Sequence, residues 1–122
     1  MTTSEIATVL AWHDALNASD VDTLLALSSD DIEVGDAHGA GQGHTALREW
    51  VTAHPRSVEV GRTFVHDGVV VVEQKISGPD ESDFTAASAF RVVHDHVTAA
   101  FRHDDLSAAF AATELTAADL VD

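Results

Sequence analysis

The sequence predicts an α+β fold in which a curved, mostly antiparallel sheet wraps over three N-terminal helices. Apolar residues near the N-terminus recur with the 3.6-residue period of helices, whereas those in the second half alternate with the two-residue period of strands. Helices followed by antiparallel strands are typical of α+β rather than βαβ folds. The chain has 122 residues, of which 45% are hydrophobic, so we expect one core and a single domain over residues 1–122.

Three helices are predicted before Pro55, the first proline of the chain. Residues 4–17 repeat apolar side chains along one helical face. Ser19, followed three positions later by Asp22, predicts the N-cap of a second helix. Residues 45–53 predict a third, which ends before Pro55 because the residue that precedes a proline is pushed away from helical geometry.

Strands dominate the rest of the chain. The second helix is expected to stop near Ser28, and a glycine-rich loop is expected over 39–43. Asp67-Gly68 suits the positive backbone angles of a tight hairpin turn, and a second hairpin is expected around His94–His96. Residues 104–122 predict one or two helical turns packed on the body. The predicted strands are 31–36, 57–66, 68–76, 84–93 and 97–103.

Composition excludes several classes of function. Six Lys and Arg against 21 Asp and Glu give a net charge of -15, which repels phosphate backbones and anionic lipid. We therefore expect neither nucleic acid nor a membrane as partner. The absence of Cys excludes disulfides, zinc-thiolate sites and cysteine nucleophiles. Neither a signal peptide nor an apolar run of the ~20 residues that a membrane span needs is visible, so a cytoplasmic protein is expected.

One carboxylate continues the apolar face of the first predicted strand. Ile32, Val34 and Asp36 share one side of that strand, since side chains alternate. A carboxyl group on a buried face loses hydration, which raises a carboxyl pKa and is one way in which proteins make a general base. The alternative is that Asp36 lies just past the strand end and caps the glycine-rich loop.

Two further kinds of side chain suggest a pocket. Ser88 is the one polar group on the apolar, small-residue face of strand 84–93, where small side chains leave room for a ligand. It could equally be a core serine bonded to a neighbouring carbonyl. Trp12 and Trp50 each carry one N–H that needs a partner when buried. They either fill the core or stack on a flat hydrophobic ligand.

The eight histidines do not predict a metal site. They show no ligand spacing such as two histidines four residues apart on one helix. His94 and His96 lie at a predicted hairpin tip, where they are expected to be solvated and to lack converging ligands. We expect no metal and no cofactor.

The order of these motifs resembles the nuclear transport factor 2-like superfamily, which includes SnoaL-like polyketide cyclases, ketosteroid isomerases and limonene epoxide hydrolases. The similarity covers about residues 4–104 and implies a cone-shaped half-barrel. The resemblance rests on the order of five features. These are the first helix leading into residues 15–20, Asp30-Asp31 before the first strand, the glycines of 39–43, the helical segment 45–50 and the two late hairpins.

The resemblance also implies a set of site residues. In ketosteroid isomerases a general-base aspartate follows an Asp-Asp pair in the first strand, and Asp36 stands at that position here. The tyrosine of the oxyanion hole corresponds to Trp12, and the protonated aspartate of that hole corresponds to Ser88. Both can donate hydrogen bonds but neither is as acidic, so weaker stabilisation of a dienolate is implied.

Three functions are compatible with this reading. In the first, an isomerase or cyclase uses Asp36 to remove a proton next to a carbonyl of a small hydrophobic substrate. In the second, the same cavity holds a small molecule or a dimer contact without catalysis. In the third, an epoxide or lactone is hydrolysed, with Arg91 and Arg102 as candidate cations. The predicted pocket walls are Trp12, Trp50, Phe64, Phe90 and Leu16.

A homodimer is expected from the outward face of the predicted sheet. That face is too apolar to be left in water, and a second copy could cover it. Its residues are Val69, Val71, Ala87, Ala89 and Val93.

Overall fold

The computed structural model describes residues 2–36, 39–53, 57–77, 84–113 and 115–120. The α-helices are α1 (Thr2–Asn17), α2 (Val21–Ala26), α3 (His44–Ala53) and α4 (Leu106–Thr113), and a 3-10 turn spans Ala117–Asp119. The strands are β1 (Ser28–Asp36), β2 (Gly39–Gln42), β3 (Ser57–His66), β4 (Val69–Ser77), β5 (Phe84–Val93) and β6 (His96–His103). The predicted α+β class is confirmed.

The strands form one curved, open sheet in the order β2-β1-β6-β5-β4-β3. Only the pair β1–β6 is parallel among the strand pairs of the described residues, and the others are antiparallel. Helices α1 to α3 pack on the face that we call the inner face, and α4 packs on the opposite, outer face. None of the helices described is long and apolar enough to cross a membrane.

The inner face carries the larger hydrophobic core. Trp12 of α1 and Phe90 of β5 meet edge to face, with ring centroids 5.3 Å apart. Leu16 and Ile32 belong to the same cluster. Each of these side chains is at most 9% exposed, so the centre of the cone is filled by the protein itself.

The outer face carries a second cluster, and Phe64 belongs to it. Phe64 meets Phe110 of α4 edge to face at 4.9 Å and is 1% exposed. The prediction that Phe64 lines the same pocket as Trp12 is therefore wrong. The reason is an irregularity in the β3–β4 register between Val60 and Thr63, which reverses the alternation of β3 and turns Phe64 to the outer side.

The C-terminal segment covers much of the outer face. Val71 and Ala87 are fully buried against a cluster that includes Ala109 and Leu115. The expectation that these two outward residues are left for a second chain is thus wrong, because α4 and the residues after it bury them. Val93 remains exposed.

Both predicted hairpin turns are present. Asp67 and Gly68 have φ of 47° and 79°, and His94 and Asp95 have φ of 50° and 63°. Positive φ at both central residues is the pattern of the tight turns that match strand twist. His94 and His96 are exposed, as expected for a hairpin tip.

Several boundaries around α2 and β1 differ from the sequence prediction. The N-cap of α2 is Asp20, not Ser19: its Oδ1 accepts from the Thr23 N–H at 3.2 Å, while Ser19 has a positive φ of 57°. Helix α2 ends at Ala26, so β1 begins earlier than predicted. The predicted loop over 39–43 is largely strand β2, which pairs with the end of β1.

Candidate functional site

Asp36 lies where two open grooves meet. It is the last residue of β1, pairs with Gly39 of β2 and is half-buried. The hairpin groove, of about 460 Å³, runs between the β1–β2 hairpin and α3; its lining is Val34, Gly35, Asp36, Gly39, Ala40, Gly41, Ala46, Glu49 and Trp50. The strand-end groove, of about 220 Å³, is lined by Asp36, Phe101, Arg102, His103, Asp104 and Ala108. Asp36 is thus in the sheet ladder and in reach of a ligand in either groove.

Small residues allow the elements around the hairpin groove to approach closely. A Cβ added at Gly41 would lie 2.9 Å from the Cβ of Ala46 on α3. A Cβ added at Gly35 would lie 2.6 Å from the carbonyl oxygen of Gly39. Both distances are too short for a side chain, so these glycines set how closely β2 packs against β1 and α3.

Arg102 lies beside this carboxylate on the neighbouring strand. In the parallel pair β1–β6, Gly35 is opposite Phe101, so Asp36 and Arg102 occupy the next position of each strand. The Arg102 guanidinium carbon is 5.3 Å from the centre of the Trp50 ring, a cation–π contact. The site therefore combines a carboxylate, a guanidinium and an indole at the end of one strand pair.

A buried chain of hydrogen bonds runs behind the site. The Ser88 hydroxyl donates to Gln74 Oε1 at 2.7 Å, and Gln74 Nε2 lies 2.9 Å from His13 Nε2. His13 Nδ1 lies 2.8 Å from the Val9 carbonyl oxygen, which can only accept. Nδ1 therefore carries the proton, and Nε2 accepts from the Gln74 amide. All three polar side chains are satisfied.

Burial keeps His13 neutral. It is 1% exposed, and the loss of hydration lowers the pKa of its imidazole, with the positive charge of Arg102 acting in the same direction. The Val9 carbonyl and the nearby Asp14 carboxylate act in the opposite direction; each effect is smaller than that of burial and larger than that of Arg102. A neutral ring is what the acceptor role of Nε2 requires.

The two hydrogen-bond donors predicted for an oxyanion hole bond to the protein itself. Trp12 Nε1 donates to Ser28 Oγ at 3.1 Å, and Ser28 Oγ donates in turn to the Leu24 carbonyl at 2.8 Å. Ser88 donates to Gln74, as described. A catalytic role for Trp12 and Ser88 stays a prediction, and it would require these bonds to break.

The other predicted residues divide between groove and core. Trp50 lines the hairpin groove with Asp36, whereas Leu16 and Phe90 are buried in the inner core. Arg91 is exposed, away from Asp36. Among the described residues no three potential metal-ligating side chains come together.

The place of Gln74 and His13 in this buried chain of hydrogen bonds was not predicted from the sequence. The signal was present in β4, where Gln74 interrupts an alternating row of valine and isoleucine that faces the inner core. A polar residue on such a face needs a buried partner. Which residue supplies that partner depends on how α1 crosses the sheet, and the sequence does not show this.

Solved structures share this fold at low sequence identity. A candidate polyketide cyclase from Sinorhizobium meliloti is 22% identical with a TM-score of 0.75, over 80% of this chain and 94% of that one. An epoxide hydrolase from M. tuberculosis, described as LEH-like, is 21% identical with a TM-score of 0.74, over 89% and 88%. A candidate ketosteroid isomerase from Kribbella flavida DSM 17836 is 16% identical with a TM-score of 0.75, over 82% and 76%. At these identities the likeness shows the fold alone.

Sequence comparison places the chain in a family. No curated protein sequence matches it. The family model described as the SnoaL-like domain matches residues 9–100, which is most of the chain. Its structural neighbours are nuclear transport factor 2-like proteins, as the sequence resemblance implied. The chain therefore belongs to the SnoaL-like domain family.

Proposed function

We propose that this protein is an isomerase or cyclase that binds a small hydrophobic carbonyl compound and removes a proton next to the carbonyl. The observation that carries the proposal is the position of Asp36 at the end of β1, where it lines a groove walled by Trp50. An apolar groove with a few polar groups at one end is the usual form of a small-molecule site. The similarity of the fold to a candidate polyketide cyclase and a candidate ketosteroid isomerase supports this choice of reaction by analogy.

In the proposed reaction Asp36 takes a proton from the carbon next to the carbonyl. The electron pair of that C–H bond moves to the carbonyl oxygen and gives an enolate. In an isomerase the enolate is conjugated with a C=C bond, and Asp36 returns the proton to the far carbon of that system. In a cyclase the enolate carbon attacks a second carbonyl, whose oxygen then takes the proton back from Asp36. The indole of Trp50 provides a flat apolar wall against which a planar substrate packs.

Hydrogen–deuterium exchange tests the proposal without knowledge of the natural substrate. In D₂O, 2-acetylnaphthalene should exchange its methyl protons faster with the protein than without it, as followed by proton NMR. Asp36→Asn should abolish the acceleration, since the amide cannot accept the proton. Asp31→Asn is the matched control, because Asp31 is an exposed carboxylate on the same strand and should leave the rate unchanged.

Loss of the acceleration in both variants, or in neither, would contradict the role of Asp36. A protein that binds the ketone but exchanges no protons at all would also contradict the proposal.

One observation favours a second candidate function, a binding module without catalysis. The donors of Trp12 and Ser88 bond to Ser28 and Gln74, so they offer no preformed oxyanion hole. In this case the groove holds its ligand unchanged. The exchange experiment separates the two candidates, since binding without exchange belongs to the second.

A further inference from the structure

We propose that Arg102 binds the ligand's oxygen, so that the ligand is a flat apolar molecule with a carbonyl or oxyanion directed at the strand-end groove. The inference rests on the proposed site at Asp36 and names the chemical class of its ligand. It follows from the placement of one cation in a strongly acidic chain.

Arg102 differs from the other cations in its burial. Among the Lys and Arg residues that the structure describes it is half-buried, while the rest are exposed; these are Arg48, Arg62, Lys75 and Arg91. Removing a guanidinium from water is unfavourable unless new contacts compensate for the lost hydration. A ligand contact is a reason for such a position.

The contacts of Arg102 are with residues that line the two grooves. The guanidinium is held over the Trp50 ring, whose indole also lines the hairpin groove. Its charge reaches His13 in the inner core, where it helps to lower the imidazole pKa. Arg102 and Asp36 together line the strand-end groove. The cation thus lines the strand-end groove together with the proposed base, and it contacts a residue of the hairpin groove.

The guanidinium can serve a ligand in addition to its protein contacts. It has five N–H donors in one plane, so it can bond to more than one group at once. A planar oxyanion such as a carboxylate, phenolate or enolate matches two of these donors at once. In the proposed reaction, the same donors would stabilise the enolate oxygen as its charge forms.

Two probes of equal shape and opposite charge test this ligand class. Binding of 2-naphthoate and of 2-naphthylmethylammonium is measured at about 0.15 M NaCl, where charges on the surface are screened beyond ~8 Å. The readout is the NMR signal of the Trp50 indole N–H, assigned with Trp50→Phe. The Trp12 N–H, bonded to Ser28 in the core, is the internal reference.

We expect 2-naphthoate to bind at least about ten-fold more tightly than the ammonium compound, despite the net charge of -15. Arg102→Met should reduce its affinity by at least about ten-fold, and Arg102→Lys by less, since lysine keeps the charge but not the planar donors. Arg91→Met is the matched control on an exposed arginine and should have no effect.

Tighter binding of the ammonium compound, or equal binding of both probes, would overturn the inference, because Asp36 and Glu49 would then set the ligand charge. Unchanged naphthoate binding in Arg102→Met would overturn it as well. Should Arg102→Met fail to fold, the probe comparison in the wild type and Arg102→Lys still decide. Arginine-dependent binding without ketone exchange would refute the proposed function and leave this inference standing.

Discussion

At the scale of the residue, the chain of His13, Gln74 and Ser88 is arranged so that only one placement of protons satisfies all three side chains. The Val9 carbonyl requires a proton on His13 Nδ1, which makes Nε2 an acceptor for the Gln74 amide. The Gln74 oxygen is then left to accept from Ser88. A proton added to His13 Nε2 would point at the Gln74 N–H, so two donors would face each other. The Gln74 side-chain amide would have to flip for its oxygen to accept that proton. The network therefore opposes protonation of His13.

This opposition predicts how stability depends on pH. The pKa of His13 is lowered in the folded chain from its ordinary 6.5, so the unfolded chain takes up the proton first as the pH falls. The contribution of His13 to the free energy of unfolding should be fully present above about pH 6.5 and should be lost as the pH falls below that value, at up to ~1.4 kcal/mol per pH unit. Urea unfolding at a series of pH values measures the slope.

His13→Gln should remove this part of the slope, since glutamine does not titrate. His96→Gln should leave the slope as in the wild type, because His96 is exposed in a turn. Equal slopes in the wild type and in His13→Gln would show that His13 does not oppose protonation in the fold.

At the scale of the element, a single amide side chain joins α1 to the edge strand β3. Asn17 is the last residue of α1, and its Nδ2 donates to the Val58 carbonyl at 2.8 Å. The Val58 N–H donates back to Asn17 Oδ1 at 2.8 Å. The Asn17 side chain thus makes the two hydrogen bonds to Val58 that the backbone of a neighbouring strand would make. These bonds hold the end of α1 against the sheet edge.

Asn17→Asp should weaken this contact with little change in shape. A carboxylate can accept from the Val58 N–H, but its second oxygen faces the Val58 carbonyl and leaves it without a donor. We expect the free energy of unfolding to fall by about 1–3 kcal/mol, measured by urea titration near neutral pH. Gln42→Glu is the control, because its exposed amide makes only a 3.3 Å bond. Equal effects of the two changes would point to added negative charge as the cause.

Strands in which apolar and polar residues alternate could be predicted from the sequence. Strands that form only because they pair with a neighbouring strand could not. Residues 57–66 and 84–93 are strands with the predicted bounds, since valine, phenylalanine and alanine alternate there. Strand β2 is Gly-Ala-Gly-Gln, which has no alternation of its own and becomes a strand because β1 pairs with it. The position of Phe64 depends on a register irregularity, which periodicity does not reveal.

The candidate site divides in the same way. Asp36 was found because it continues the row of Ile32 and Val34, a local pattern. The partnership of Arg102 with Trp50 and Asp36 depends on the parallel pairing of β1 with β6 and on the packing of α3. Those contacts join distant parts of the chain, so single-strand patterns do not predict them.

At the scale of the whole molecule, the C-terminal segment serves as the cover of the outer face. Asp105 Oδ1 accepts from the Ala108 N–H at 2.8 Å and caps the start of α4. Further on, Leu120 forms a bridge with Phe64 of β3. The segment therefore buries surface that would otherwise favour association. A homodimer stays a prediction. The apolar outward face from which it was predicted is now limited to the residues that α4 leaves uncovered.

Phe110→Ser tests how much of this cover is needed. Phe110 is half-buried and packs edge to face on Phe64, so its loss should lower the free energy of unfolding by about 1–3 kcal/mol. Opening the apolar face should also raise the mass measured by light scattering at micromolar concentrations, because exposed apolar patches drive association. Phe110→Leu keeps the cover apolar and should stay closer to the wild type in both measurements. The wild-type mass in the same experiment decides the homodimer prediction. If Phe110→Ser matches the wild type in stability and mass, the C-terminal segment is not what keeps the outer face from water.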